Sequence, residues 1–96
     1  MKTAEEMKAK TVAVRDEMIQ YFKEYGMEIV LADINKEIYA EVLKGNSTYR
    51  YYEAKNLLEE QRKMLQQKLW GLGYYANYTD GYMYISWANP KPVLNS

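Results

Sequence analysis

The sequence predicts an α+β fold, mostly helical, with two to three helices packed on a small antiparallel sheet. Three observations support this class: a stripe with helical spacing from Ala4 to Tyr25, a second one from Glu53 to Leu72, and a β-hairpin pattern from Tyr74 to Trp87. A lone hairpin is marginally stable in water, so its apolar face must lie on a helix. The result is a layered α+β domain.

The first stripe has members at spacings of four and three, namely Met7, Thr11, Val14, Met18, Phe22 and Tyr25. Thr3 is the predicted N-cap, with Glu6 as its capping-box partner. The spacing is close to a heptad repeat, so this face packs either on a second copy of the chain or on its own domain. We predict a homo-oligomer, with the interface residues Met7, Val14, Met18, Phe22 and Trp70.

Gly26 interrupts this pattern, and a helix either ends there or continues at a cost of about 1 kcal/mol. Residues 27–32 are compatible with a helix or a strand. We favour a helix over most of Glu28–Lys44, with Asp33 as a potential cap. Its inner face would carry Leu31, Ile34, Ile38 and Val42.

Residues 48–52 are rich in β-formers, and they form either a third strand or the first turn of the next helix. A helix is predicted from Glu53 to Leu72. Its inner stripe consists of Ala54, Leu57, Leu58, Gln61, Leu65, Leu69 and Leu72. Trp70 lies off this stripe and either covers the core edge or forms an external contact.

The hairpin has a register that follows from its turn. Gly73 suits the left-handed position after a helix, and Asp80-Gly81 is a type I′ turn signal. The predicted strands are therefore 74–79 and 82–87, and side-chain alternation divides them into two faces. The core face carries Tyr74, Ala76, Tyr78, Met83, Ile85 and Trp87. The opposite, tyrosine-rich polar face carries Tyr75, Asn77, Thr79, Tyr82, Tyr84 and Ser86.

The composition limits the domain organisation and the chemistry. The 96 residues fit a single domain over 1–96, with a helical part (1–44), a strand–helix–hairpin part (45–88) and an extended tail (89–96). Lys+Arg and Asp+Glu number 13 each, which argues against binding nucleic acid by phosphate neutralisation. The chain has no cysteine and no histidine, so thiolate or imidazole chemistry is excluded. We expect no metal and no cofactor.

Catalytic patterns are weak in this sequence. Glu59 and Glu60 are consecutive, so on a helix their side chains diverge by about 100° and do not form a converging pair. No phosphate-binding glycine loop and no nucleophile elbow is present. We therefore predict that the protein is not an enzyme. The start of the chain has no apolar signal segment, and no run is long enough to span a bilayer, so we expect a cytoplasmic location.

A binding site is predicted around residues 48–52. Arg50 offers a forked donor for phosphate or carboxylate, and neighbouring tyrosines offer stacking surfaces and hydroxyl groups. The candidate binding residues are Tyr49, Arg50, Tyr51, Tyr52, Lys55, Tyr75, Tyr82 and Tyr84. In the competing interpretation, Tyr49 and Tyr51 face the core from an edge strand and Arg50 points to water.

The segment from Ile38 to Trp87 resembles small uncharacterised bacteriophage proteins. The matching residues are Gly45, Tyr49–Tyr52, Leu69, Gly73, Tyr74, Gly81 and Ile85-Ser86-Trp87. The resemblance implies a non-enzymatic protein of the host cytoplasm, acting in anti-defence or host takeover by sequestering a nucleotide-like signal or blocking a host protein. An oligomeric virion or scaffold accessory is the alternative. A winged-helix DNA-binding protein comes third, because acidic Asp80 occupies the predicted wing tip.

Overall fold

A computed structural model of the protein describes residues 1–92. The elements in chain order are α1 (Ala4–Tyr21), a π-helical segment (Phe22–Gly26), α2 (Met27–Leu43), β1 (Thr48–Tyr51), a 3-10 segment (Tyr52–Asn56), α3 (Glu59–Gly71), β2 (Tyr75–Thr79) and β3 (Tyr82–Ser86). The three strands form one antiparallel sheet in the order β1-β3-β2. The predicted α+β class is therefore confirmed, including its third strand.

The first half of the described chain is one continuous helix. Phe22 and Gly26, at the two junctions, both have right-handed helical backbone angles. Between them the Met27 amide donates to the Phe22 carbonyl, a spacing of five residues that defines a π-turn. The helix favoured over most of Glu28–Lys44 is confirmed, and it includes residues 27–32, for which the sequence allowed a helix or a strand. A cap at Asp33 is wrong, because the helix already runs through that residue.

The N-terminus of α1 has the predicted cap. The Thr3 hydroxyl accepts a hydrogen bond from the Glu6 amide at 3.2 Å and lies at the same distance from the Glu6 carboxylate. Acidic Glu5 and Glu6 in the first turn also complement the helix dipole. The helix is therefore well started, although none of the α1 side chains is buried.

The predicted start of the third helix at Glu53 is wrong. Residues 52–56 form a 3-10 segment, and Leu57 and Leu58 then have extended backbone angles. Leucine has no side-chain acceptor, so Leu58 cannot cap the helix that follows it. Gln61 compensates in part, because its side-chain oxygen accepts from the Leu58 amide at 2.8 Å. α3 consequently begins at Glu59.

The hairpin matches the predicted register. Asp80 and Gly81 have φ values of 53° and 82°, as a type I′ turn requires. Thr79 pairs with Tyr82, and Ala76 pairs with Ile85. The stop of α3 is also as predicted, since Gly73 has a φ of 95°.

The core lies between one face of the sheet and the two helices α2 and α3. The fully buried side chains of Leu65, Met83 and Ile85 are at its centre. The buried cluster comprises Ile34, Ile38, Tyr51, Ala54, Leu65, Leu69, Ala76, Met83 and Ile85. Val42 and Leu72, predicted to face inward, are exposed near the ends of their helices. The opposite face of the sheet is left open.

The C-terminal tail is described only as far as residue 92. The Lys91 amide donates to the Gly73 carbonyl at 2.9 Å, which attaches the tail to the end of α3. The rest of the predicted extended tail, residues 93–96, lies outside the described residues. Within residues 1–92, no helix is both long enough and apolar enough to cross a membrane.

Candidate functional site

The open face of the sheet carries a cluster of aromatic side chains. Alternation along β1 directs Arg50 away from the core, and Arg50 pairs with Tyr84 of β3. Tyr82 and Tyr75 share this side, and Tyr52 follows at the end of β1. We call this group the tyrosine face and define it as Arg50, Tyr52, Tyr75, Tyr82 and Tyr84.

Ring contacts hold the tyrosine face together. The Tyr52 and Tyr82 ring centroids are 5.3 Å apart, and those of Tyr75 and Tyr84 are 6.0 Å apart in an edge-to-face arrangement. The Arg50 guanidinium lies 5.6 Å from the Tyr82 ring centroid, within cation–π range. These contacts limit the rotamers of the rings and so preorganise a wide, amphipathic surface.

A groove borders the tyrosine face where β1 meets the end of α2. Its volume is about 320 Å³, and its lining consists of Glu41, Thr48, Tyr49, Arg50 and Tyr52. The lining therefore combines one carboxylate, one guanidinium and several hydroxyl groups. Within residues 1–92, no group of three or more acidic, histidine or cysteine side chains is placed to hold a metal ion.

Glu41 is fixed by the loop after α2. Its carboxylate accepts from the Asn46 side-chain amide at 2.7 Å and lies 3.5 Å from the Lys44 ammonium. The hydrogen bond from Asn46 is the main reason that the pKa of Glu41 is lowered from its ordinary value of 4.5. Desolvation acts in the opposite direction and is the second effect in size, and the charge of Lys44 lowers the pKa further. The groove thus presents an ionised, oriented carboxylate at neutral pH.

Tyr49 and Tyr51 lie on the core side of β1. Burial is the main cause of the raised pKa of both phenols. The charge of Glu37 acts next on Tyr49, and that of Glu53 acts next on Tyr51. Both rings therefore remain neutral near pH 7. The competing interpretation, in which β1 is an edge strand with Tyr49 and Tyr51 facing the core, therefore describes where these two side chains lie.

The predicted binding residues thus divide into three groups. Arg50 and four of the tyrosines come together on the tyrosine face, as defined above. Tyr49 and Tyr51 face the other way, although Tyr49 still reaches the groove edge. Lys55 is exposed on the 3-10 segment. The role of all these residues in binding stays a prediction.

The predicted interface residues have different surroundings. Met7, Val14 and Met18 are exposed along α1. Phe22 is 4% exposed and buried within its own chain, so it offers no area to a partner. Trp70 is about half exposed, and its indole nitrogen donates to the Ala76 carbonyl at 2.9 Å. That bond occupies an outward-facing acceptor of the edge strand β2.

Sequence reasoning missed Glu41 and Asn46. A carboxylate in the last turn of a helix is unfavourable with respect to the helix dipole. The unusual position of Glu41, four residues before Gly45, was therefore the available signal that the carboxylate has partners in the following loop. The side-chain contact itself spans five residues and a turn, which no simple periodicity reveals.

Comparison with known families gives one result. Residues 2–91 match the family model of glycosyl hydrolase family 57. The match covers most of the chain, so the chain belongs to this family. No curated protein and no solved structure matches the chain.

The family match corrects three of the expectations from sequence. The resemblance to bacteriophage proteins is wrong, and so is the anti-defence or host-takeover role that it implied. The expectation of a non-enzymatic binding protein is also wrong, because the family is one of glycoside hydrolases. The acidic residues had been assessed only in consecutive pairs, which overlooked carboxylates that the fold brings beside the sheet.

Proposed function

We propose that this member of glycosyl hydrolase family 57 takes part in hydrolysing glycosidic bonds and binds saccharide on its tyrosine face and the adjoining groove. The observation that carries the proposal is the open aromatic surface beside the ionised carboxylate of Glu41. Family membership supports the reaction, and the arrangement of the side chains supports the location. A cytoplasmic site of action, which a chain without cysteine allows, is part of the proposal.

The tyrosine face has the chemistry that saccharides require. A pyranose ring has apolar C–H faces and hydroxyl groups around its rim, so aromatic side chains pack on the faces while polar groups bind the rim. Tyrosine supplies both an apolar ring and a hydroxyl group. Arg50 adds several donors at one end of the surface. An extended sheet face suits a chain of several sugar units.

Glycoside hydrolysis usually needs two carboxyl groups that flank the bond to be broken. We assign Glu41 to the group that must be ionised, either the nucleophile or the base, because Asn46 and Lys44 favour its charged form. Glu53 is our candidate for the second carboxyl group. It follows directly on Tyr52, which lines the groove together with Glu41.

Binding can be tested with linear α- and β-linked glucose oligomers, maltohexaose and cellohexaose, by calorimetry and by NMR shifts. We expect one oligomer to bind the wild type and Tyr82→Ala to weaken it at least tenfold, by analogy with the stacking of a nucleic-acid base on an aromatic side chain, which is worth about 1–3 kcal/mol. Tyr39→Ala is the matched control, because Tyr39 is exposed on α2 and does not line the groove. Equal losses in both variants would count against the tyrosine face.

Hydrolysis needs a separate test that measures the release of reducing ends from the same oligomers. Glu41→Gln keeps an oxygen that accepts from Asn46 but removes the charge. We expect this variant and Glu53→Gln to lose activity at least a hundredfold while binding is retained. Glu5→Gln, at the far end of α1, controls for the loss of one negative charge. Full activity in Glu41→Gln would remove Glu41 from the mechanism.

A further inference from the structure

The direction of the main-chain groups across the sheet follows from the hairpin turn. Thr79 and Tyr82 flank a two-residue turn, so they exchange main-chain hydrogen bonds. Because bonded pairs alternate along an antiparallel ladder, Ile85 turns its N–H and C=O groups to β1 and not to β2. The Trp87 amide, two residues on, donates to the Ser47 carbonyl at 3.0 Å, as this alternation requires.

Side chains of α3 cover the sheet edge at β2. Alternation turns the main chain of Ala76 and Tyr78 away from β3. The Gln66 side-chain amide and the Trp70 indole donate to the Ala76 carbonyl at 2.8 and 2.9 Å. The Arg62 guanidinium lies 4.3 Å from the Tyr78 ring centroid. A further strand cannot pair at this edge without displacing these side chains.

The other edge of the sheet, at β1, is open. Tyr49 pairs with Ile85 and bonds to β3, so the N–H and C=O groups of Thr48 and Arg50 point outward. In the part of the chain that the structure describes, no other main-chain group and no side chain forms a hydrogen bond to the main chain of Thr48 or Arg50. The groove that contains both residues lies along this edge. Free donors and acceptors at strand spacing are the groups that another extended main chain binds.

We propose that an extended peptide segment of a partner protein adds to β1 as a fourth, antiparallel strand. Among residues 1–92, no carboxylate lies within ion-pair distance of Arg50. The peptide residue opposite Arg50 has its side chain on the same face of the sheet, and this residue is acidic. The residue opposite Tyr49 has its side chain on the other face, where the ionised carboxylate of Glu41 lines the groove, and this residue is basic.

The chain itself does not supply such a strand. Antiparallel pairing of β1 with a second copy, centred on Arg50, places two guanidinium groups opposite each other. Pairing centred on Tyr49 places the Glu41 carboxylates of both copies on the same side of the joined sheet. The described tail leads to the other edge, since the Lys91 amide donates to the Gly73 carbonyl just before β2. The charges therefore favour a partner protein.

An end-blocked synthetic peptide, Val-Thr-Lys-Glu-Lys-Thr-Val, tests the main-chain pairing by fluorescence anisotropy. The test uses no saccharide, because the proposal does not depend on hydrolysis. N-methylation of the glutamate removes the N–H that faces the Arg50 carbonyl, and we expect binding to weaken at least tenfold. N-methylation of the lysine that follows removes an N–H that points away from β1. This matched control should bind within about threefold of the parent peptide.

A charge exchange tests the register. We expect Arg50→Glu to bind the parent peptide at least tenfold more weakly and to recover when the central glutamate of the peptide is replaced by lysine. Lys8→Glu makes the same charge change on an exposed position of α1 and should have no effect. Circular dichroism verifies that each variant is folded. The two methylated peptides need only the wild type, so they decide the main-chain pairing even if Arg50→Glu fails to fold.

Hydrogen exchange followed by NMR locates the added strand. We expect the peptide to protect the amides of Thr48 and Arg50 and to leave the amide of Tyr78, on the covered edge, unchanged. Protection at Tyr78 in place of β1 would overturn the proposal, as would an equal loss from both methylated peptides or an absence of binding at millimolar peptide. Protection of Thr48 and Arg50 that rises with protein concentration in the absence of peptide would show that a second copy occupies the edge.

Discussion

Gly81→Ala tests the turn that sets the hairpin register and holds the tyrosine face in place. Gly81 has a φ of 82°, where a side chain costs roughly 1–2 kcal/mol. A Cβ atom added there meets nothing within 4 Å, so no steric clash adds to that cost. We therefore expect a loss of about 1–2 kcal/mol in the free energy of unfolding, which arises from backbone conformation alone.

Gly71→Ala is the matched control for this substitution. Gly71 ends α3 with an ordinary helical backbone, and a Cβ atom there also meets nothing within 4 Å. Alanine is favoured over glycine in a helix by up to about 1 kcal/mol, so this variant should be neutral or more stable. The two variants add the same methyl group into open space. Their difference, about 1–3 kcal/mol, therefore isolates the sign of φ.

Urea unfolding followed by tryptophan fluorescence measures both variants. Each kcal/mol corresponds to about 4–8 °C in Tm for a domain of this size, so thermal unfolding gives a second readout. Gly81→Ala should also keep the NMR cross-peaks between β2 and β3, because the register is supported by the buried pair of Ala76 and Ile85. A Gly81→Ala protein as stable as Gly71→Ala would refute the type I′ turn.

Three further predictions concern the core and the ionisable groups. Leu65→Ala should lower the free energy of unfolding by about 2–5 kcal/mol in urea, whereas Leu43→Ala, at an exposed site, should change it by less than about 0.5 kcal/mol. The raised pKa of Tyr49 contributes stability that is fully present below the ordinary tyrosine pKa of 10.0 and is lost as the pH rises through the folded-state pKa. Tyr49→Phe should therefore flatten the alkaline unfolding curve measured by circular dichroism. The lowered pKa of Glu41 contributes stability that is present above pH 4.5, the ordinary pKa of the group, and is lost as the pH falls through the folded-state pKa. Asn46→Ala should return the pKa of Glu41 towards its ordinary value in an NMR titration.

Local sequence signals were sufficient to predict the features of the fold that depend only on residues close together in the chain. The pairing of Thr79 with Tyr82 follows from Asp80-Gly81, because a two-residue turn leaves a single register. The cap at Thr3 likewise needs only residues within one turn. Each of these features satisfies backbone groups through contacts of short range, so the pattern of residue types identifies it.

The start of α3 depends on contacts that the periodicity does not contain. Ala54 fits the apolar stripe and is fully buried, yet it lies in a 3-10 segment that is separated from α3. Leu57 and Leu58 are extended between the two, and Gln61 bonds back to the Leu58 amide. The helical spacing of buried residues therefore continues across a break in the helical backbone. For this reason the sequence pattern predicted one helix where the structure has two separate elements.

The candidate site was predictable only in its aromatic half. Alternation in the hairpin placed Tyr75, Tyr82 and Tyr84 on one face, and β1 added Arg50 to it. The carboxylate came from the end of α2, brought beside β1 by the chain reversal at Gly45. Because catalytic carboxylates converge through tertiary structure, scanning for acidic pairs along the sequence was bound to miss this one.

The π-turn at Phe22–Gly26 lies where the first helix passes from α1, which has no buried side chain, to α2, which packs on the core through Ile34 and Ile38. It adds one residue relative to an α-helical turn, which rotates α1 by about 100° with respect to α2. Phe22, at the start of this segment, is buried in the protein interior, while Tyr21 and Tyr25 stay exposed with their ring centroids 5.5 Å apart. The segment thus buries one aromatic side chain and leaves two others at the surface, so the helix changes from an exposed element to a core element within about one turn.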